Sequence, residues 1–391
     1  MSLYKVIGNP IPYGRQNITE EDISSVVETL RSDFLTQGPK VELFERQFSE
    51  YVGSEYAVAV SNGTAALHLS AMALNVNNES KVITSPLTFA ASANSVIYCG
   101  GEISFVDVDP ETGLMDLNEL ESKLSRNNTQ TAYSGVIPVD YAGYPVNLEK
   151  VKGIADHYSL FVLEDSCHAP GAYFKDSNQQ VHKSGGGTYS DLSIFSFHPV
   201  KHIATGEGGM ITTNNKSLYE RIKRLRTHGI TKDPESLLNN DGGWYYEMQE
   251  LGYNYRLSDL QCALGVSQLT RAEKNLARRE EIASKYDETL KKLPISLPAK
   301  PENGRHAYHL YVIRTDRRKD LYDFLRSKQI FTQVHYVPVH VHPFYKKLGW
   351  KYGDFPKAEN FYESCLSLPM YPSLSQEQQD YVIEMIYQFF N

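Results

Sequence analysis

The sequence predicts an α/β fold, with a large domain on a mostly parallel sheet and a smaller C-terminal α/β domain. Three observations carry this. Strand-like and helical runs alternate up to about residue 255, a charged helical stretch follows over 257–293, and a strand-helix-strand-helix series closes the chain. The 391 residues, 41% of them hydrophobic, exceed the roughly 100–200 residues of one domain and suffice for two cores. We place the large domain at 15–255 and the small one at 256–391, and expect residues 1–14 to pack near the small domain or a substrate site.

Thr19 as cap, the acids Glu20, Glu21 and Asp22, and Ile23, Val26, Val27 and Leu30 at helical spacing open the chain with a helix. Residues 55–60 alternate as a strand. The turn Ser61-Asn62-Gly63-Thr64 then leads into an apolar helical run from Ala65. Further strands are expected at 81–85, 103–108, 135–140, 159–163, 191–197 and 210–213. The helical stretch 257–293 lays Arg271, Glu273, Lys274, Arg278, Arg279, Glu280 and Glu281 over an apolar stripe and ends at Pro294 and Pro298. It reads as the bridge between domains. Beyond it, 309–313 and 331–335 read as strands around a helix at 320–328, with a last helix at 376–389.

With 39 basic and 47 acidic residues the net charge is −8, which argues against general nucleic-acid binding. An anionic substrate then needs locally placed cations or backbone donors. Cys99, Cys167, Cys262 and Cys365 have no paired spacing, so neither a zinc framework nor a disulfide scaffold is expected. No basic-apolar leader pattern and no apolar run of about 18 residues is present, so a cytoplasmic setting is the default.

The chemistry concentrates at strand ends. The strand at 191–197 delivers Lys201 into a turn that closes on Gly206, Gly208 and Gly209. A lysine drawn into such a pocket loses solvation, its pKa falls, and its neutral amine can form a Schiff base with a carbonyl or an aldehyde cofactor. Asp165 ends a second buried run, where carboxylates point into the ligand crevice of α/β folds; as a bland alternative it caps a helix. The turn at 61–64 is an anion cradle, because free N–H groups and the helix dipole face it, and the Ser196 hydroxyl can join it. A Schiff-base lysine, an acid for a pyridine nitrogen and a phosphate site together match pyridoxal 5'-phosphate (PLP).

These pieces resemble the DegT/DnrJ/EryC1/StrS sugar-nucleotide aminotransferases, which are fold-type I PLP enzymes. The matching segments are Phe34-Leu35-Thr36-Gln37-Gly38-Pro39, Ser61 to Leu67, Ser85-Pro86-Leu87-Thr88-Phe89-Ala90, Glu164-Asp165-Ser166-Cys167-His168-Ala169, Ser196 to Lys201 and Gly252-Tyr253-Asn254-Tyr255-Arg256, in family order. The resemblance implies that Lys201 holds the cofactor and then shuttles protons. It implies that Asp165 pairs with the pyridine nitrogen and that Phe89 stacks on the ring. His168 would lie by the ring hydroxyl, where many relatives carry glutamine. Gly63, Thr64 and Ser196 would bind the phosphate, joined by Asn254 from a neighbouring subunit of a homodimer. Tyr13, Leu35, Ser61, His335 and Tyr336 are the implied substrate contacts, with strand-end packing as the plain alternative for His335 and Tyr336.

The segments 139–143, 165–169, 226–230 and 333–340 are most similar to the branch of the family that serves pseudaminic acid biosynthesis. That implies transfer of an amine from glutamate to C4 of a UDP-linked 4-keto-6-deoxy-N-acetyl-hexosamine. Amination of a dTDP- or GDP-linked keto sugar, at C3 or C4, is the alternative. Dehydratases of the family replace the Schiff-base lysine, so the presence of Lys201 disfavours dehydration. A PLP-binding scaffold without catalysis need not keep Lys201, Asp165 and the phosphate turn together.

Two tempting signals carry less. His340 and His342 share a face of an extended segment, but no carboxylate or cysteine lies near them in sequence, so no metal site is expected. The glycines at 185–187 lack the lysine-hydroxyl pair of a nucleotide loop and read as a flexible turn. Most of the 27 tyrosines are expected in core, rim or subunit interfaces.

Overall fold

The computed structural model describes residues 10–126, 133–239 and 241–391. A seven-stranded sheet is built from β1 (Tyr56–Val60), β2 (Lys81–Thr84), β3 (Glu102–Phe105), β4 (Gly135–Ile137), β5 (Phe161–Asp165), β6 (Leu192–Ser196) and β7 (Gly209–Thr213), in the spatial order β1-β7-β6-β5-β4-β2-β3. β7 runs antiparallel to both of its neighbours, and the remaining pairs are parallel. The core strands read as unbroken apolar runs because helices cover both faces of a parallel sheet. Leu163 pairs with Leu192 and Asp165 with Ile194, so β5 and β6 end side by side. Ligands of open α/β sheets lie at such carboxyl ends.

Helices α1 (Glu20–Leu30) and α2 (Pro39–Val52) precede the sheet. They are followed by α3 (Gly63–Ala73), α4 (Ala90–Tyr98), α5 (Leu117–Arg126), α6 (Leu148–His157) and α7 (Lys216–Arg226). α3 is buried along nearly its whole length, which is why its sequence is apolar and small on every side rather than striped. Asn62 caps it, accepting the Ala65 N–H at 2.8 Å.

The expected bridging helix is two helices, α8 (Asp259–Leu269) and α9 (Ala272–Leu290). They part at Thr270 and Arg271, where Arg271 turns back to the fully buried Asp22 of α1 at 2.7 Å. Ser267 and Gln268 donate to the same carboxylate, so removal of Arg271 would leave a buried charge short of its counterion.

Beyond α9, strand Tyr311–Arg314 pairs antiparallel with Cys365–Leu368. The helices here are α10 (Arg318–Ser327), α11 (Pro343–Lys347), α12 (Pro356–Ser364) and α13 (Gln376–Phe390). Tyr286, Tyr311, Ile313, Leu321, Leu366 and Ile386 are central to a second core. The strand expected at 331–335 is only Ile330–Phe331. It pairs with Ile11–Pro12, after which a lone bridge from Gln333 to Ser367 takes the chain across to the other sheet. Residues 10–14 thus meet the C-terminal part, while 1–9 lie outside the described residues. No helix among the described residues is long and apolar enough to cross a membrane.

Candidate active site

A cavity of about 460 Å³ lies where β5 and β6 end, lined from α3, α4, β5, β6 and the C-terminal part. Tyr13, Gly63, Thr64, Phe89, Asp165, His168, Ser196, Lys201, His335 and Tyr336 all line it. They come from segments up to 323 residues apart in sequence (13 to 336). Leu35, Ser61 and Asn254 do not line it within this chain. Leu35 is exposed and its carbonyl accepts the N–H of Asp259 at the start of α8. Ser61 donates its N–H to the Tyr255 carbonyl at 2.8 Å, and Asn254 is exposed in a bridge with Thr227.

Asp165 is buried at the end of β5. Its Oδ2 accepts the Ser92 hydroxyl at 2.7 Å, and its Oδ1 accepts the Cys167 N–H at 3.2 Å. Both bonds fix the carboxylate's orientation at the strand end. Burial and the neighbouring Asp165 charge push the Cys167 thiol well above its usual range, which makes it a poor nucleophile.

Lys201 follows β6 through a turn in which its N–H bonds to the His198 carbonyl. Burial lowers its pKa, and the negative charge of Asp165 opposes that. Its Nζ faces His309 Nε2 at 3.5 Å. His168 is buried with Nδ1 accepting the Ala142 N–H at 3.2 Å. The neutral ring therefore carries its proton on Nε2 and donates it to the Tyr336 hydroxyl, 3.0 Å away. Burial, with the Lys201 charge second, holds His168 well below the usual histidine range.

The anion cradle is tight. A Cβ on Gly63 would meet Ser196 Cβ at 3.0 Å and Oγ at 3.2 Å, so any side chain there would push the Ser196 side chain away from the first turn of α3. The cap takes the Ala65 N–H and leaves those of Gly63 and Thr64 for a ligand. Phe89, 62% exposed, offers an uncovered ring on the cavity wall. A buried carboxylate, a lysine of lowered pKa and a glycine-lined helix start fit the pyridine, aldehyde and phosphate of PLP.

Ser92 and His309 were not among the residues singled out from sequence. Ser92 lies in a helix otherwise read only through Phe89, and nothing in the spacing ties His309 to Lys201. The His340 segment also differs from its sequence reading. A carboxylate is near in space, since Glu359 Oε1 lies 2.8 Å from His340 Nε2 in a buried pair.

The profile of the DegT/DnrJ/EryC1/StrS aminotransferase family matches residues 16–387. Spore coat polysaccharide biosynthesis protein SpsC of Bacillus subtilis is 39% identical over 96% of both chains. UDP-4-amino-4,6-dideoxy-N-acetyl-β-L-altrosamine transaminase of Campylobacter jejuni is 37% identical over 96% of both. Spr1654 of Streptococcus pneumoniae, assigned as a sugar aminotransferase and solved in its PLP form, superposes with a TM-score of 0.88 at 30% identity, covering 97% of this chain and 98% of that one.

Proposed function

We propose, from the premise that this chain belongs to the DegT/DnrJ/EryC1/StrS aminotransferase family and is a PLP-dependent sugar aminotransferase, that it moves an amine from glutamate to C4 of a UDP-linked 4-keto-6-deoxy-N-acetyl-hexosamine. The observation that carries the transaminase geometry is the convergence of Lys201, Asp165 and the Gly63–Thr64 turn on one cavity. The substrate rests on the resemblance to the pseudaminic acid branch and on the C. jejuni transaminase.

Bound PLP supplies an electron sink. Lys201 Nζ would hold the cofactor and, once released, would move a proton between the cofactor carbon and the substrate carbon. Asp165, oriented by the Ser92 hydroxyl and the Cys167 N–H, would hold a proton on the pyridine nitrogen. His168 is fixed as a donor at Nε2 and orients the ring hydroxyl. Phe89 stacks on the ring. Gly63, Thr64 and Ser196 bind the phosphate, and Asn254 completes the phosphate site of a neighbouring subunit in a homodimer. Tyr13, Leu35, Ser61, His335 and Tyr336 contact the sugar nucleotide, with Leu35 and Ser61, which stand off the cavity, serving its outer reach. Four free cysteines fit a reducing, cytoplasmic setting.

The test is kcat/KM with glutamate across UDP-, dTDP- and GDP-linked 4-keto sugars and a 3-keto sugar. A site that hydrogen-bonds the N-acetyl group and one ring configuration can reject analogues by about 10⁴–10⁵. The UDP-linked N-acetyl L-sugar should be preferred. Preference for a dTDP-linked or non-acetylated sugar would move the protein to another branch and leave the transaminase assignment standing.

A further inference from the structure

We propose that His309 is the positioning residue for Lys201: its Nε2 accepts a hydrogen bond from Lys201 Nζ, holds the amine in the cavity and stabilises its ammonium form while it carries a proton. This rests on Lys201 being the cofactor lysine and goes beyond it by naming the group that sets the lysine's basicity.

The Nζ to Nε2 separation of 3.5 Å is at the outer limit of a hydrogen bond, as contacts of catalytic groups without ligand commonly are. His309 is 4% exposed, and its Nδ1 is buried without a hydrogen-bond partner among the described residues. Nothing on the far side of the ring competes for the tautomer, so the proton can stay on Nδ1 and leave Nε2 bare toward the lysine. The ring centroid lies 4.4 Å from that of His168, with the planes tilted by 36°, and 5.8 Å from that of His202.

The backbone that presents His309 is pinned. The fully buried Arg279 donates to the carbonyls of Tyr308, His309 and Met370 at 3.0, 3.3 and 3.0 Å. An imidazole accepts only while neutral, and the groups facing His309 enforce that. Burial comes first, then the charge on Lys201, with that of Arg279 adding to it. Lys201 in turn faces the Asp165 carboxylate, whose negative charge favours the ammonium. His309 adds a bond to the same protonated form. No covalent bond is made or broken at His309; the proton stays on Nζ.

The experiment measures the pKa of Lys201 directly, in apoprotein, from the pH dependence of its acylation by acetic anhydride, followed on the Lys201 peptide by mass spectrometry. His309→Leu, which removes the acceptor, should lower that pKa by about one unit, while His309→Gln, which keeps an acceptor, should stay near wild type. In the PLP-loaded enzyme the acid limb of the kcat profile should move down with it, kcat falling about tenfold and KM for glutamate holding. Equal Lys201 pKa values in the Leu and Gln variants would overturn the proposal. If the Leu variant does not fold, ¹⁵N shifts of His309 in wild-type apoprotein decide: an unprotonated Nε2 supports it, and a protonated Nε2 sinks it. Borohydride tagging of a lysine other than Lys201 would instead overturn the reading on which the proposal rests, whatever the apoprotein titration shows.

Discussion

Ser92 Oγ lies 2.7 Å from Asp165 Oδ2 and donates to it, with both residues buried. One hydroxyl from α4 thus helps fix the carboxylate at the end of β5. A hydrogen bond to a charged group contributes about 1.5–3 kcal/mol, so Ser92→Ala should cost about 10–100-fold in kcat/KM. Asp165→Asn should still bind PLP and lose turnover, because a neutral amide cannot hold a pyridinium proton. Wild-type kcat in either variant would count against this account.

Lys201→Ala should abolish transamination with the fold intact, since Lys201 lines an open cavity and truncation there removes no core packing. Circular dichroism would confirm the fold. In the wild type, borohydride reduction should attach the cofactor to the peptide containing Lys201, and attachment elsewhere would refute the assignment.

Asp165, Lys201 and the turn at 61–64 were legible because each stands beside a strand whose apolar run marks it, and strand ends collect ligands. What could not be read is pairing across distance. Ser92 and Asp165 are 73 residues apart and Lys201 and His309 are 108 apart, and no local pattern relates them. Glu359 was invisible from His340 for the same reason, 19 residues away around a turn and two helices. Nor does composition tell a strand from the extended run 330–338, where Ile330–Phe331 alone forms a strand and Gln333 adds a lone bridge to Ser367. Leu35 and Asn254 carry family motifs but stand outside this chain's cavity, a placement that no local pattern reveals.

Five histidines, His168, His202, His306, His309 and His335, are buried and held below their usual range chiefly by burial, His306 and His335 at about 3. In the unfolded chain each takes a proton near pH 6.5. Below that pH the unfolded state binds more protons, so stability falls as pH falls, from about 6.5 toward 3, approaching about 1.4 kcal/mol per unit for each histidine. The buried Asp140 and Glu164 pair, both raised by burial, acts with the opposite sign. Comparison with His306→Asn cancels that term, because an amide oxygen can still accept the Tyr308 N–H now bonded to His306 Nδ1. Urea unfolding of apoprotein between pH 6.5 and 5 should show a shallower loss in the variant by up to one proton. Identical pH slopes would contradict it.

Asn254 is exposed and outside the cavity of its own chain, while the family resemblance puts it on a phosphate. Both hold if it serves the neighbouring subunit of a homodimer, which makes each site composite. Lys201→Ala and Asn254→Ala homodimers should then each be inactive or impaired. Mixed, they form hybrids in which one site has both lesions and the other has neither, so up to a quarter of all sites regain wild-type function at equal mixing, half the dimers being hybrid and half their sites intact. Were Asn254 to act within its own chain, every site in the hybrid would keep one lesion and nothing would be regained. Activity should therefore rise on mixing with the rate of subunit exchange, followed independently by native mass spectrometry. Exchange without recovery would place Asn254 in its own subunit's site or outside catalysis altogether.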